Sequence, residues 1–245
     1  MIRALVGLWL LGIGSAAGAA ECRKADFAGN AYSICEVDLT QERLELFLSD
    51  ESGTVYGHFG RVDSALSAQG LQLGFAMNAG MYHDDRAPVG FYLENGREAQ
   101  GIISSDGPGN FGLLPNGIFC IGDGRADVFE TLDFLDRQPF CRSASQSGPM
   151  LVIDGALHPR FLKDSTSRYV RNGVGTSADG TRAVFAISDN TVTFHDFGTL
   201  FRDHLNLPNA LYFDGNVSRL RAPDLGRNDV GFTTIGPIVG VVEKK

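Results

Sequence analysis

The chain has 245 residues, 43% hydrophobic, 20% charged and 10% aromatic, with 31 glycines, 9 prolines and 4 cysteines. Seventeen Phe among abundant Val, Leu and Ile exclude a disordered chain, and glycines without a three-residue period exclude collagen. A net charge of −8 with no run of three basic residues argues against nucleic acid and anionic membrane surfaces as partners.

Met1-Ile2-Arg3 is a short positive start, Ala4 to Ile13 is unbroken apolar sequence, and small residues follow to Ala20. These are the three regions of a secretory signal peptide, expected over residues 1–20. About 10 apolar residues are too few to span roughly 30 Å of hydrocarbon. The expected location is secreted or periplasmic, with no stable membrane insertion after the leader is removed. Cys22, Cys35, Cys120 and Cys141 all lie beyond it, and an even count in an exported chain reads as disulfides. Of the three connectivities, Cys22–Cys35 with Cys120–Cys141 closes the shortest loops and is the expected one.

In chain order, Tyr32 to Leu39 and Arg43 to Ser49 alternate apolar and polar residues and suggest a first hairpin. Arg61 to Gln69 reads as a short helix stopped by Gly70, and Leu71 to Met77 as a strand. Val89 to Glu94 followed by Asn95-Gly96 is the clearest hairpin signal, because that pair accepts two positive φ angles. Ile118 to Ile121 and Asp127 to Glu130 repeat the pattern around Gly122-Asp123-Gly124. Leu151 to Ile153, Arg182 to Ser188, Ala210 to Phe213 and Ile235 to Val242 are further strands. Phe197, Leu200, Phe201 and Leu205 share one helical face, with Thr193 able to cap its start. No linker or repeat divides the chain. The expectation is one α+β domain over residues 21–245, with a curved, largely antiparallel or mixed sheet and few helices.

Gly173-Val174-Gly175-Thr176-Ser177-Ala178 has the letters of a dinucleotide fingerprint, but no helix follows it. There is no P-loop, no H-E-x-x-H and no G-x-S-x-G. Five other segments set polar side chains beside glycines near apolar runs: Met77 to Tyr82, Leu114 to Ile118, Ser147 to Met150, Arg171 to Gly175 and Phe213 to Ser218. Such loops let a backbone approach a ligand while a sheet fixes the polar groups.

Taken in order, Asn78 to Tyr82, Pro88-Val89-Gly90, Gly148-Pro149, Arg171 to Gly175 and Asp214 to Ser218 resemble the pattern of the phosphodiester glycosidase family. Ala79 stands where that pattern has a second glycine, and Asn216 where it has the second glycine after Asp214. The resemblance implies a hydrolase of sugar phosphodiesters, with envelope glycopolymers as candidate substrates. Cleavage at the sugar carbon builds positive charge on the ring and negative charge on the departing phosphate. Asp214 suits the ring cation, Asp189 is its expected partner, and Arg171 offers a planar fork for phosphate oxygens. Asn78, Gly80, Asn116, Gly148, His158, Asn172 and Ser218 are expected to line the substrate pocket. No cofactor is required, although Asp84-Asp85 with Asp214 offers oxygens for a divalent cation. Two other readings stay open: a non-catalytic glycan-binding domain, and a metal-dependent phosphodiesterase cutting the P–O bond.

Overall fold

The computed structural model describes residues 20–215 and 217–245. The expected leader, apart from Ala20, and the substituted position Asn216 lie outside the described residues. The elements run β1 (Glu21–Phe27), β2 (Asn30–Asp38), β3 (Arg43–Phe47), α1 (Phe59–Ser67), β4 (Leu71–Asn78), β5 (Tyr92–Glu94) and β6 (Arg97–Gln100). The middle of the chain forms β7 (Gly117–Ile121), β8 (Ala126–Glu130), α2 (Thr131–Arg137), β9 (Ser143–Ser147), β10 (Met150–Ile153) and β11 (Ala156–Leu157). The last third forms β12 (Asn172–Thr176), β13 (Arg182–Ser188), α3 (Phe194–Thr199), β14 (Asn209–Asp214), β15 (Leu220–Ala222), β16 (Arg227–Asn228) and β17 (Ile238–Lys244).

Three sheets result, ordered β1-β2-β13-β12-β14-β10-β11, β16-β15-β4-β17-β3 and β6-β5-β9-β7-β8. Every ladder among the described residues is antiparallel. Period-two alternation explains the layering. Phe185 and Ile187 of β13, Leu211 and Phe213 of β14, Phe75 and Met77 of β4, and Phe119 and Ile121 of β7 meet in one central core shared by the three sheets. The intervening residues face outward onto short helices. Val184 and Tyr212 pack under Phe197 and Phe201 of the α3 segment. Leu73, Ala76 and Ile238 take Phe59, Val62 and Leu66 of α1, and Ile118 takes Phe134 of α2.

The α+β class and the largely antiparallel sheets match the sequence reading. Asn95 and Gly96 both have positive φ, at 50° and 79°. Thr193 caps α3 in a reciprocal pair with Asp196. The first hairpin does not form. The two strands exist, but β2 pairs with β1 and β13 while β3 joins β17 in another sheet. Alternation specifies a strand and its buried face, not its partner. The fingerprint-like glycines lie in the central strand β12: a Cβ on Gly173 would sit 2.5 Å from the Leu211 carbonyl oxygen, and one on Gly175 2.7 Å from Leu207 Cδ1.

Both expected disulfides are present. Cys22 and Cys35 are directly opposed on β1 and β2, and Cys120 of β7 joins Cys141 beyond α2. No helix among the described residues is long and apolar enough to cross a membrane.

One surface carboxylate gives the fold a testable pH dependence. Glu42, between β2 and β3, accepts from the Asp38 amide at 2.7 Å through one oxygen, while the other is buried without a partner. Burial pushes this carboxyl up to about 7, the Asp38 amide opposing and the Asp38 and Glu243 charges adding. Between its ordinary value near 4.5 and about 7, the folded chain holds a proton that the unfolded chain releases. The group therefore favours the folded form less as pH rises through that window. Glu42→Gln is expected to raise the melting temperature at pH 8, with the gain disappearing as pH falls to about 4.5. An equal gain at both pH values would refute this assignment.

Candidate active site

The chain passes from the first sheet to the second between β14 and β15, and two buried asparagines hold that crossing. Asn78 ends β4 and Asn172 opens β12. Both are fully buried, and Asn172 Nδ2 donates to Asn78 Oδ1 at 2.8 Å. Asn172 Oδ1 accepts from the Asp214 amide at 3.0 Å, and Asn78 Oδ1 from the Arg219 amide at 2.9 Å. Each end of the 214–219 crossing is thus fixed by one sheet's asparagine. Ser218 Oγ adds a tie to the Asp214 carbonyl at 3.0 Å, within reach of the Val170 carbonyl at 3.2 Å. A register shift between Asn172 and Gly173 marks a bulge against β14 and re-aims Asp214 at the strand end.

Asp214 is half-buried, and its Oδ1 accepts from the Gly215 amide at 2.6 Å. Two phenols feel its charge. Burial pushes the Tyr82 hydroxyl upward and the Asp214 charge adds to the rise. Tyr212 is raised further, by burial first, with Arg171 opposing and Asp214 adding. A Cβ on Gly215 would sit 2.1 Å from the Tyr212 hydroxyl, so the space beside Gly215 is occupied by this phenol. Tyr212 was hidden in the sequence because Ala210-Leu211-Tyr212-Phe213 reads as apolar core; only its hydroxyl marks it as part of the site.

Loop 110–116 approaches the same phenol. A Cβ on Gly148 would lie 3.0 Å from the Phe111 carbonyl oxygen and 2.8 Å from Asn116 Cβ, so a glycine there admits the loop. The Asn110 side chain lies close enough to the Tyr212 hydroxyl to oppose its rise. Asn116 is fully buried and holds the loop's own frame, donating to the Phe111 carbonyl at 3.3 Å and accepting from Thr131 Oγ1 at 2.7 Å. Gly80, at φ 148°, packs against Ser145 Oγ. Asn78, Asn116 and Asn172 thus have their side-chain polar atoms engaged with partners inside the protein.

Three further expectations change. The Arg171 guanidinium is fully buried, 3.6 Å from the Phe194 ring centroid and within 5.5 Å of Tyr169 and Tyr212. Its Nε donates to the Val192 carbonyl at 3.0 Å and Nη2 to the Ser167 carbonyl at 3.2 Å, while Nη1 is buried with no hydrogen-bond partner, so backbone engages only part of the fork expected for phosphate. Asp189 takes part in a different network. Arg227 donates to it at 2.6 Å, Lys24 at 2.9 Å and Ser33 Oγ at 3.0 Å. Burial pushes its carboxyl up, but the Lys24 and Ser33 hydrogen bonds and the Lys24 and Arg227 charges hold it below the usual range. A carboxylate so held does not serve as proton donor. His158 is buried and stacked on Phe161, accepts from the Arg160 amide through Nδ1 at 3.2 Å, and has its pKa pushed down by burial. No three His, Cys, Asp or Glu side chains converge to hold a metal among the described residues, so Asp84, Asp85 and Asp214 do not form the cation site considered above.

A bulged strand end carrying a carboxylate whose charge two tyrosines feel, on a crossing between antiparallel sheets, is where the family motifs meet. The phosphodiester glycosidase family model matches residues 72–233, and the chain belongs to that family. The Escherichia coli K12 protein described as uncharacterized protein YigE is 33% identical over 179 residues, covering 73% of this chain and 69% of its own. The fold is similar to the zebrafish N-acetylglucosamine-1-phosphodiester alpha-N-acetylglucosaminidase catalytic domain auto-inhibited by its pro-peptide, with TM-score 0.64, 13% identity and coverage of 94% of this chain and 84% of that one. A hypothetical protein from Synechocystis superposes with TM-score 0.58 at 10% identity, over 90% of this chain and 61% of that one.

Proposed function

We propose that this protein hydrolyses the bond between a sugar carbon and a phosphodiester, acting outside the cytoplasm on phosphate-linked sugars of envelope glycopolymers. The observation that carries this reading is the Asp214 carboxylate, fixed at a bulged strand end beside Tyr212 and Tyr82 in a chain of this family. The C–O bond breaks with its electrons leaving on the phosphate monoester, and water oxygen joins the sugar carbon. Asp214 supports the positive charge that develops on the ring, by direct attack or by activating water. Tyr212, kept protonated by burial and by the Asp214 charge, sets its hydroxyl beside Gly215, the residue that follows Asp214. The departing phosphate is already a good leaving group, so little acid assistance is required. The two disulfides fit an oxidising compartment.

Hydrolysis of sugar-1-phosphodiesters in ¹⁸O-labelled water tests which bond breaks. The label is expected on the sugar. Label on the phosphate would mean P–O cleavage and would overturn the glycosidase reading.

A further inference from the structure

We propose that Arg219, with Arg86 beside it, forms the subsite that grips the phosphate group of the substrate. This inference deepens the glycosidase reading and takes the chemistry of its ligand from it. Arg219 follows the crossing loop directly, and its amide is fixed by Asn78 at 2.9 Å. The residue is only 8% exposed. Its guanidinium rests on Gly231, where a Cβ would lie 1.9 Å from one Nη, and that nitrogen donates to Thr233 Oγ1 at 3.2 Å. Arg86 lies 5.4 Å from the Tyr82 ring centroid and donates through Nε to Thr234 Oγ1 at 2.8 Å. The two guanidiniums thus bond neighbouring threonines, Thr233 and Thr234.

Among the described residues, neither arginine has a carboxylate within salt-bridge distance, although the chain carries an acidic excess. A guanidinium removed from water without a counter-charge is unfavourable, and an anionic ligand supplies what the fold does not. Arg171 is also without an acid partner, but aromatic rings cover it and backbone carbonyls engage two of its three nitrogens. Arg219 has one side-chain partner, a neutral hydroxyl. Tyr82 feels the negative charge of Asp214 and the positive charges of Arg86 and Arg219 together, so acid and cations lie within electrostatic reach of one phenol. A glycosyl phosphate needs that polarity, a carboxylate at the sugar carbon and a planar donor at the phosphate.

Inorganic phosphate is the probe, with melting temperature followed at constant ionic strength in the full mature chain. Phosphate is expected to raise the melting temperature of the parent protein, as any ligand of the folded state does. Arg219→Gln is expected to abolish that rise. Arg219→Lys keeps the charge without the fork and is expected to weaken phosphate binding at least about tenfold. A parent-like rise in Arg219→Gln, or no rise in the parent protein up to about 100 mM phosphate, overturns the subsite. Should the Gln variant fail to fold, unchanged phosphate affinity in Arg219→Lys overturns it equally. The two readings fail separately. Arg219-dependent phosphate binding without turnover of any sugar phosphodiester removes the glycosidase reading and keeps the subsite, whereas turnover with phosphate binding indifferent to Arg219 does the reverse.

Discussion

Asp214→Asn is expected to lower turnover of a sugar phosphodiester by at least about 100-fold while the melting temperature hardly moves. The amide has nearly the shape of the carboxylate and its oxygen can still accept from the Gly215 amide, the 2.6 Å bond that shapes the turn. The backbone anchor of this position is the Asp214 amide on Asn172, which the substitution leaves alone. What disappears is charge. Without it the side chain can neither stabilise a ring cation, attack it, nor take a proton from water. A residue serving only as a turn former would predict the opposite, because Asn makes the same local hydrogen bonds. Near-normal turnover in Asp214→Asn would remove Asp214 from the chemistry. Asp189 would not inherit the role, since Lys24, Ser33 and Arg227 already surround it.

Asn172→Ala is expected to cost both stability and rate. Truncation removes the acceptor of both the Asp214 amide and Asn78 Nδ2, while Asn78 Oδ1 keeps the Arg219 amide, all within fully or partly buried surroundings. Each buried polar group left without a partner costs about 1–3 kcal/mol, so a loss of roughly 2–4 kcal/mol is expected. Asp214 then loses the bond that fixes its backbone, and displacement by about 1 Å is enough to lower a rate about 100-fold. The fall should appear in kcat far more than in KM, because Asn172 has its polar atoms directed at protein. Chemical denaturation and steady-state kinetics on the same preparation test both halves. A stable variant with normal kcat would show that the crossing is held by other contacts.

Much of the fold was legible because alternation and turn chemistry are local signals. Asn95-Gly96, the helix capped by Thr193 and the strands ending at Met77, Ser188 and Phe213 all lie where their own residues put them. What was illegible depends on distant neighbours. β12 reads as a glycine loop, since the reason for Gly173 and Gly175 is the Leu211 backbone and the Leu207 side chain, many residues away. One partner of β2 is β13, more than half the chain further on. At the site the motif positions converged, yet side-chain types did not reveal which would be support and which would face substrate. Asn78 and Asn172 look like sugar ligands in sequence and act as clasps in the fold. Arg171 has the chemistry of a phosphate fork, but its side chain sits on the α3 side, where aromatic rings cover it.

The crossing between β14 and β15 makes the site a gauge of how the two sheets are seated. One clasp belongs to each sheet, and each amide it holds, Asp214 or Arg219, belongs to the strand end leaving or entering. Neither disulfide spans this seam, since Cys22–Cys35 lies within the first sheet and Cys120–Cys141 lies on the third. Covalent staples therefore preserve the parts without guarding their alignment. A small slip of one sheet past the other would part the two asparagines and move Asp214 relative to Arg219 while most of the architecture still stands.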